Sequence, residues 1–124
     1  MKIYFDGGCR PNPGPLETMV FASGKAHHCA DLGLGDNSDA EWLALIHAAT
    51  IAREGGHSDV TLLGDSALIV GQANGTAKCR DERFHAYLAQ FRALAAGFAR
   101  VRVRRIGRAQ NLAGIALERL RAGL

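Results

Sequence analysis

The run Asp6-Gly7-Gly8-Cys9-Arg10-Pro11-Asn12-Pro13-Gly14-Pro15 constrains this chain most, because it is dense in residues that turn the backbone. Before it, Met1-Lys2-Ile3-Tyr4-Phe5 alternates and is β-prone, so it reads as a strand that Asp6 directly follows. After it, Thr18 to Ser23 and Ala26 to Leu34 read as two further strands. Short strands around such a segment predict an antiparallel meander.

The rhythm then changes. The segment from about Asp39 to Arg53 is helical, with Ser38-Asp39-Ala40-Glu41 matching a capping box at its start and Gly55-Gly56 stopping it. Val60 to Leu63 is a buried strand running into Gly64-Asp65-Ser66. Ala67 to Gln72 is a short helix closed by Asn74-Gly75, Asp81 to Ala96 a longer one, Val101 to Ile106 an alternating strand, and Gln110 to Ala122 the final helix. Three strands followed by alternating helix and strand predict a mixed α/β fold, with helices packed on the faces of a mixed sheet.

A length of 124 residues suits a single domain over 1–124, whose core needs neither disulfides nor a structural metal. The net charge of +3 permits a nucleic-acid partner without demanding one. Arg100, Arg102, Arg104, Arg105, Arg108, Arg119 and Arg121 crowd the last quarter, as a solvated face or a phosphate-contacting one. No apolar run is long enough to span a bilayer, so no membrane partner is expected. Cys9, Cys29 and Cys79 form no CxxC pair and follow no secretory leader, so they read as free thiols in a reducing, cytoplasmic setting. Cys29 follows His27 and His28, which are metal-ligand types. No second ligand cluster has zinc-site spacing, and the trio reads as a coincidence on an edge strand.

Three carboxylates stand where a fold has little reason to put them. Asp6 follows the first strand and Asp65 ends the apolar one; strand ends are common ligand sites, although Asp is also an ordinary turn residue. Glu41 shares a helix face with Leu45, Ala48 and Ala52, which is that helix's core stripe. It is either the reciprocal member of the capping box or a buried carboxylate. Clustered carboxylates repel unless a divalent cation compensates them, and an oxygen-only set points to Mg²⁺ or Mn²⁺ instead of zinc.

Phe5-Asp6-Gly7-Gly8-Cys9 with Asn12-Pro13-Gly14-Pro15 resembles the opening signature of type 1 ribonucleases H. Asn37-Ser38-Asp39-Ala40-Glu41-Trp42 is similar to that family's N-N-x-x-E segment, Leu63-Gly64-Asp65-Ser66 to its T-D-S, and Arg108-Ala109-Gln110-Asn111 to its R-x-x-N. The motifs occur in order across essentially the whole chain. The resemblance implies a ribonuclease H-like fold: a five-stranded mixed sheet, strands 1 to 3 antiparallel, helices on both faces. It implies a metal-dependent endoribonuclease in which Asp6, Glu41 and Asp65 are catalytic and hold two Mg²⁺ ions, with Mn²⁺ as a substitute. One ion activates water and the other stabilises the leaving 3′ oxygen, so that the RNA strand of an RNA–DNA hybrid is cut to 5′-phosphate and 3′-hydroxyl ends. It further implies hybrid contacts from Gly7, Gly8, Asn12, Asn37, Ser38, Arg105, Arg108 and Asn111, with glycine letting the RNA backbone approach closely. A monomer with no obligatory protein partner is expected.

The chain departs from the family pattern in several places. Ser38 replaces the second Asn of N-N. Gly71 to Phe84 is too short for a basic handle. No His lies between Arg100 and Leu124. Above all, the fourth carboxylate, four residues after Asn111, is Ile115. The wheel places Ala113, Leu117, Leu120 and Leu124 on the core stripe and Ile115 opposite, with Asn111 and Glu118, either of which could substitute as a ligand. The alternative reading is therefore a catalytically weak or silent nucleic-acid-binding protein of the same fold. A nuclease acting on another structured nucleic acid fits the residues equally well.

Overall fold

The computed structural model describes residues 1–124. β1 (Lys2–Cys9) pairs antiparallel with β2 (Gly14–Ala22), which pairs antiparallel with β3 (Lys25–Cys29) and, at its start, with the two-residue β4 (Leu34–Gly35). α1 (Asn37–Glu54) leads to β5 (Asp59–Gly64), parallel to β1. α2 (Ala67–Asn74) and α3 (Glu82–Ala95) then lead to β6 (Arg100–Arg105), parallel to β5. A 3-10 turn at Arg108–Gln110 precedes α4 (Leu112–Arg121). The main path across the sheet is β3-β2-β1-β5-β6.

The sheet is mixed, with its first three strands antiparallel, as expected. β4 makes a sixth strand. The expected third strand breaks after Cys29 because Asp31 and Gly33 take positive φ, and the chain rejoins β2 only at Leu34. β1 also runs four residues past Phe5, so Asp6 lies inside the strand and not at its end. Gly7 and Gly8 look like turn residues but continue the ladder, opposite Thr18 and Glu17.

Both faces of the sheet are covered. Ile3 and Phe5 alternate with Tyr4, so the two sets face opposite ways. Ile3, Phe5, Val20, Val60, Leu62 and Val103 pack with buried residues of α1, α2 and α3 in the main core. Tyr4, Met19 and Phe21 meet Ala113 and Leu117 of α4. Trp42 is fully buried, and its Nε1 donates to Gln72 Oε1 at 3.0 Å, joining α1 to α2. Of the four residues placed on the core stripe of the last helix, Leu120 and Leu124 are exposed. α4 ends at Arg121, and only its Ala113 and Leu117 are buried against the sheet. That helix starts at Leu112, with Asn111 as its cap.

The start of α1 differs from the expected capping box. The cap is Asp36, whose Oδ1 accepts from the backbone of Ser38 and Asp39, while Asp39 Oδ2 accepts from Asp36 N at 2.9 Å. Asp39 is buried and also accepts from Arg83 and Tyr87 of α3, so the cap doubles as the joint between the two helices. Moving the cap back two residues relieves Glu41 of any capping role. Asp36→Ala should therefore cost ~1–2 kcal/mol. Ser38→Ala, which removes no side-chain bond, should change stability by less than about 0.5 kcal/mol. Thermal or denaturant melts of the two variants check this, and the reverse order would restore the cap to Ser38.

Candidate active site

β1 and β5 run parallel with Tyr4 beside Leu63, so continuing that register sets Asp6 next to Asp65. α1 crosses β1 and brings Glu41 to the same point. One oxygen from each of the three carboxylates falls within 4.8 Å of the others. Glu41 reaches this point because Gly7 has no side chain: a Cβ there would collide with the backbone of Ala40 and Glu41. The Gly7 N–H donates to Glu41 Oε1 at 3.0 Å. Glu41 Oε2 is buried and has no partner.

Asn111 secures the other side. It is fully buried, and its Nδ2 donates to Phe5 O and to Asp65 Oδ2, both at 3.0 Å, while its Oδ1 accepts from Ala113 N and so starts α4. Its whole amide is thereby used by the protein. Expected as a substrate contact or substitute ligand, Asn111 instead positions Asp65. Glu118, the other suggested substitute, is paired with Arg10 at 3.3 Å and Arg121 at 3.7 Å. Ile115 lies on the cleft wall and off the core, as the helical wheel required. Gly114 beside it leaves open the space next to Asp6.

Crowding raises the proton affinity of the cluster. Burial, with the nearby Asp65 charge, pushes Asp6 up to about 6, against the lowering effect of its hydrogen bond with Glu41. Burial first, then the Asp6 charge, hold Glu41 well above the usual carboxylate range. An unpartnered buried oxygen and two carboxylates that resist ionising are the features a divalent cation would relieve, and an all-oxygen donor set fits Mg²⁺.

The carboxylates floor an open cleft of about 670 Å³ in which only Cys9 and Ile115, of fifteen lining residues, are apolar. Arg10, Arg108, Arg119 and Arg121 stand around it. A cleft with an acidic floor and a basic rim suits a polyanion held near metal. Gly7, Gly8, Asn37 and Arg108 line it, whereas Asn12, Ser38 and Arg105 do not. Asn12 Oδ1 accepts from Asn37 N at 3.2 Å, tying the Pro-rich turn to the start of α1. Ser38 serves the cap through its backbone, and Arg105 reaches the site only through Asp65 O at 3.4 Å. The glycines were expected to make room for RNA. Their missing side chains make room for the protein itself: α1 at Gly7 and the Arg121 guanidinium at Gly8. Gly114 carries no signal in the sequence, and Arg10 lies within the turn-rich run with nothing there to mark it as a cleft residue.

A family model described as reverse transcriptase-like matches residues 18–118. The ribonuclease HI of Halobacterium salinarum is 34% identical over 116 residues, covering 90% of this chain; the chain spans 58% of that protein's length. A crystal structure of RNase H1 from the same organism superposes with a TM-score of 0.85 at 28% identity, covering 99% of this chain and 98% of that one. A compost-derived RNase H1 solved in complex with an RNA/DNA hybrid gives a TM-score of 0.78 at 27% identity, covering 94% and 91%.

The raised pKa of Asp6 fixes the sign of a pH effect. Below about pH 4, its ordinary value being 3.8, Asp6 is protonated both folded and unfolded and costs nothing. As pH rises the unfolded chain releases the proton first, so the folded state loses stability, and the loss is complete above about pH 6. In metal-free buffer, the Tm advantage of Asp6→Asn over the parent should therefore widen between these limits. Mg²⁺ should narrow it near neutral pH by stabilising the parent. Parallel melting curves with and without Mg²⁺ check this, and a gap that stays constant with pH would show that Asp6 is not under strain.

Proposed function

The chain belongs to the reverse transcriptase-like family of ribonuclease H-like domains, and from that premise we propose that it is a metal-dependent endoribonuclease hydrolysing the RNA strand of RNA–DNA hybrids. The observation that carries this reading is the convergence of Asp6, Glu41 and Asp65 on a polar cleft, with one Glu41 oxygen buried and unpartnered. The hybrid bound to the compost-derived neighbour supports the substrate class.

Asp6, Glu41 and Asp65 would hold the metal, proposed as two Mg²⁺ ions with Mn²⁺ as a substitute. When bound, these supply an activated water and neutralise charge at the leaving 3′ oxygen, giving 5′-phosphate and 3′-hydroxyl products. The chain's own contribution is placement. Gly7 fixes one oxygen of Glu41 and leaves the other free, and Asn111 fixes Asp65 through a buried amide. Arg10 and Arg108 offer cations at the cleft wall for phosphates on either side of the scissile bond. Discrimination of RNA from DNA rests on the 2′-hydroxyls displayed in the hybrid's shallow minor groove. The connection from Gly75 to Asp81 carries only Lys78 and Arg80 as basic residues, so hybrid affinity is low and salt-sensitive. No helix is long and apolar enough to cross a membrane. We place this activity in a single 1–124 domain working as a monomer in the cytoplasm.

Ile115 in the fourth-carboxylate position favours a second reading, a weak or silent hybrid-binding protein. An end-labelled hybrid incubated with Mg²⁺, Mn²⁺ or EDTA, beside duplex RNA and duplex DNA, separates the two. The nuclease cuts only the RNA of the hybrid and only with metal, whereas the binder cuts nothing. Asp6→Asn should abolish cleavage. Glu41→Gln should do the same with no loss of Tm, since Glu41 does not cap its helix. Full turnover by either variant would sink the mechanism. Ile115→Asp should raise the Mg²⁺-dependent rate by about tenfold, equivalent to ~1.4 kcal/mol of barrier. An unchanged rate in a folded Ile115→Asp variant would mean that the site is complete without a fourth carboxylate.

A further inference from the structure

One arginine of the cleft is built into the sheet. Arg121 closes α4, and its guanidinium turns back to lie over Gly8, where a Cβ would collide with Nη2. Gly8 pairs with Glu17 across β1 and β2, and Glu17 Oε2 accepts from Arg121 Nη2 at 3.1 Å. Glu17 is itself fixed, because its Oε1 lies 2.8 Å from His28 Nε2. The Arg121 side chain is 19% exposed, against 63% for Arg10, which shares the Glu118 carboxylate with it.

The end of the helix does not require this placement. Arg119 stands in the same last turn and serves the negative end of the helix dipole equally well. Arg121 instead fills the slot left by Gly8, on the face of β1 that also carries Asp6, because residues two apart on a strand share a face at a spacing of about 6.6 Å. Successive phosphates along a nucleic-acid strand are a similar distance apart. A guanidinium has five N–H donors, and Glu17 takes one of them, leaving the others for a ligand in the cleft that Arg121 lines. Glu118 Oε1 lies 3.7 Å from Nη1, too far for a hydrogen bond, and its side chain is 68% exposed, so it yields readily to a better anion.

We propose that Arg121 is a phosphate subsite: its guanidinium binds the backbone phosphate next to the scissile one, on the Arg10 side of the cleft. This role rests on the nuclease reading of the carboxylate cluster, although Arg121 belongs to none of the motifs that suggested that reading. Phosphate accepts two parallel N–H bonds from a guanidinium, a geometry that lysine does not offer. When the strand enters, Glu118 releases Arg10 and Arg121 together and turns to solvent, so both cations meet phosphate. Glu17 stays and keeps the guanidinium flat on β1. Because that anchor is in place beforehand, little side-chain freedom is lost on binding.

Binding of a fluorescein-labelled hybrid is read by anisotropy in the full chain carrying Asp6→Asn, which leaves the hybrid uncut, and KM and kcat are read in the chain without it. Arg121→Gln should weaken binding and raise KM by about tenfold, with a smaller change in kcat. The slope of log affinity against log salt should fall by about one. Gly8→Ala keeps the arginine but pushes its guanidinium off the strand, and should weaken binding in the same way. Glu118→Gln should tighten binding, because it removes the competing anion. A single neutral methylphosphonate at the linkage beside the cut should weaken binding by the Arg121 protein about tenfold and by the Arg121→Gln protein almost not at all. A purely structural Arg121–Glu17 pair predicts otherwise: a lower Tm for Arg121→Gln, an unchanged salt slope, and equal sensitivity of both proteins to the methylphosphonate. That result in an active nuclease would overturn the subsite and leave the nuclease reading standing. Absence of metal-dependent cleavage by the parent would overturn the nuclease reading, and the subsite with it.

Discussion

The closeness of α1 to β1 at Gly7 governs this molecule. The backbone of Ala40 and Glu41 occupies the space a side chain at Gly7 would need, and the Gly7 N–H grips the Glu41 carboxylate. A second glycine plays the matching part at the tip of β5. Gly64 lies against the Phe5 ring, where a Cβ would collide with it, so the two strands bearing the aspartates close onto one packed aromatic. The position of Glu41 thus follows from a backbone contact, which cannot relax as a flexible side chain can, and those of the aspartates from a packed ring and a buried amide.

That rigidity lets like charges be held together. Carboxylates within 4.8 Å of one another would move apart or take up protons if left free. Here each is restrained from behind: Glu41 by Gly7, Asp65 by Asn111, and Asp6 by its place within a strand paired on both sides. The frame is held by the core of α1, α2 and α3 on one face and by α4 on the other. Repulsion that the frame prevents from dissipating is what a divalent cation would relieve, and arginines stand around the rim of the same cleft.

The alternation of strands and helices was legible because apolar periodicity reports which face is buried. The three carboxylates were legible because a charge on an apolar stripe or beside a buried strand needs a reason. Other features depended on contacts between distant residues. Ser38-x-x-Glu41 and Asp36-x-x-Asp39 both satisfy a capping pattern, and Asp39 decides between them by also receiving Arg83 and Tyr87, more than forty positions along the chain. Gly7 and Gly8 have turn composition, yet the ladder with β2 continues through them because α1 and Arg121 fill the space beside them. Asn111 looks like a surface residue at a helix start, and only its bond to Phe5 O, 106 positions back, shows that it is interior. Leu120 and Leu124 fit the wheel of the last helix but lie beyond the reach of the sheet.

The dependence of Asp65 on Asn111 also sets an order in time. Asp6, Glu41 and Asp65 all leave the ribosome before Asn111 does, and 46 positions separate Asp65 from the amide that holds it. Until α4 emerges, β1 and β2 lack their second face and Asp65 lacks its anchor. A nascent chain therefore brings out its three acidic residues before the cluster is anchored, and α4 completes it.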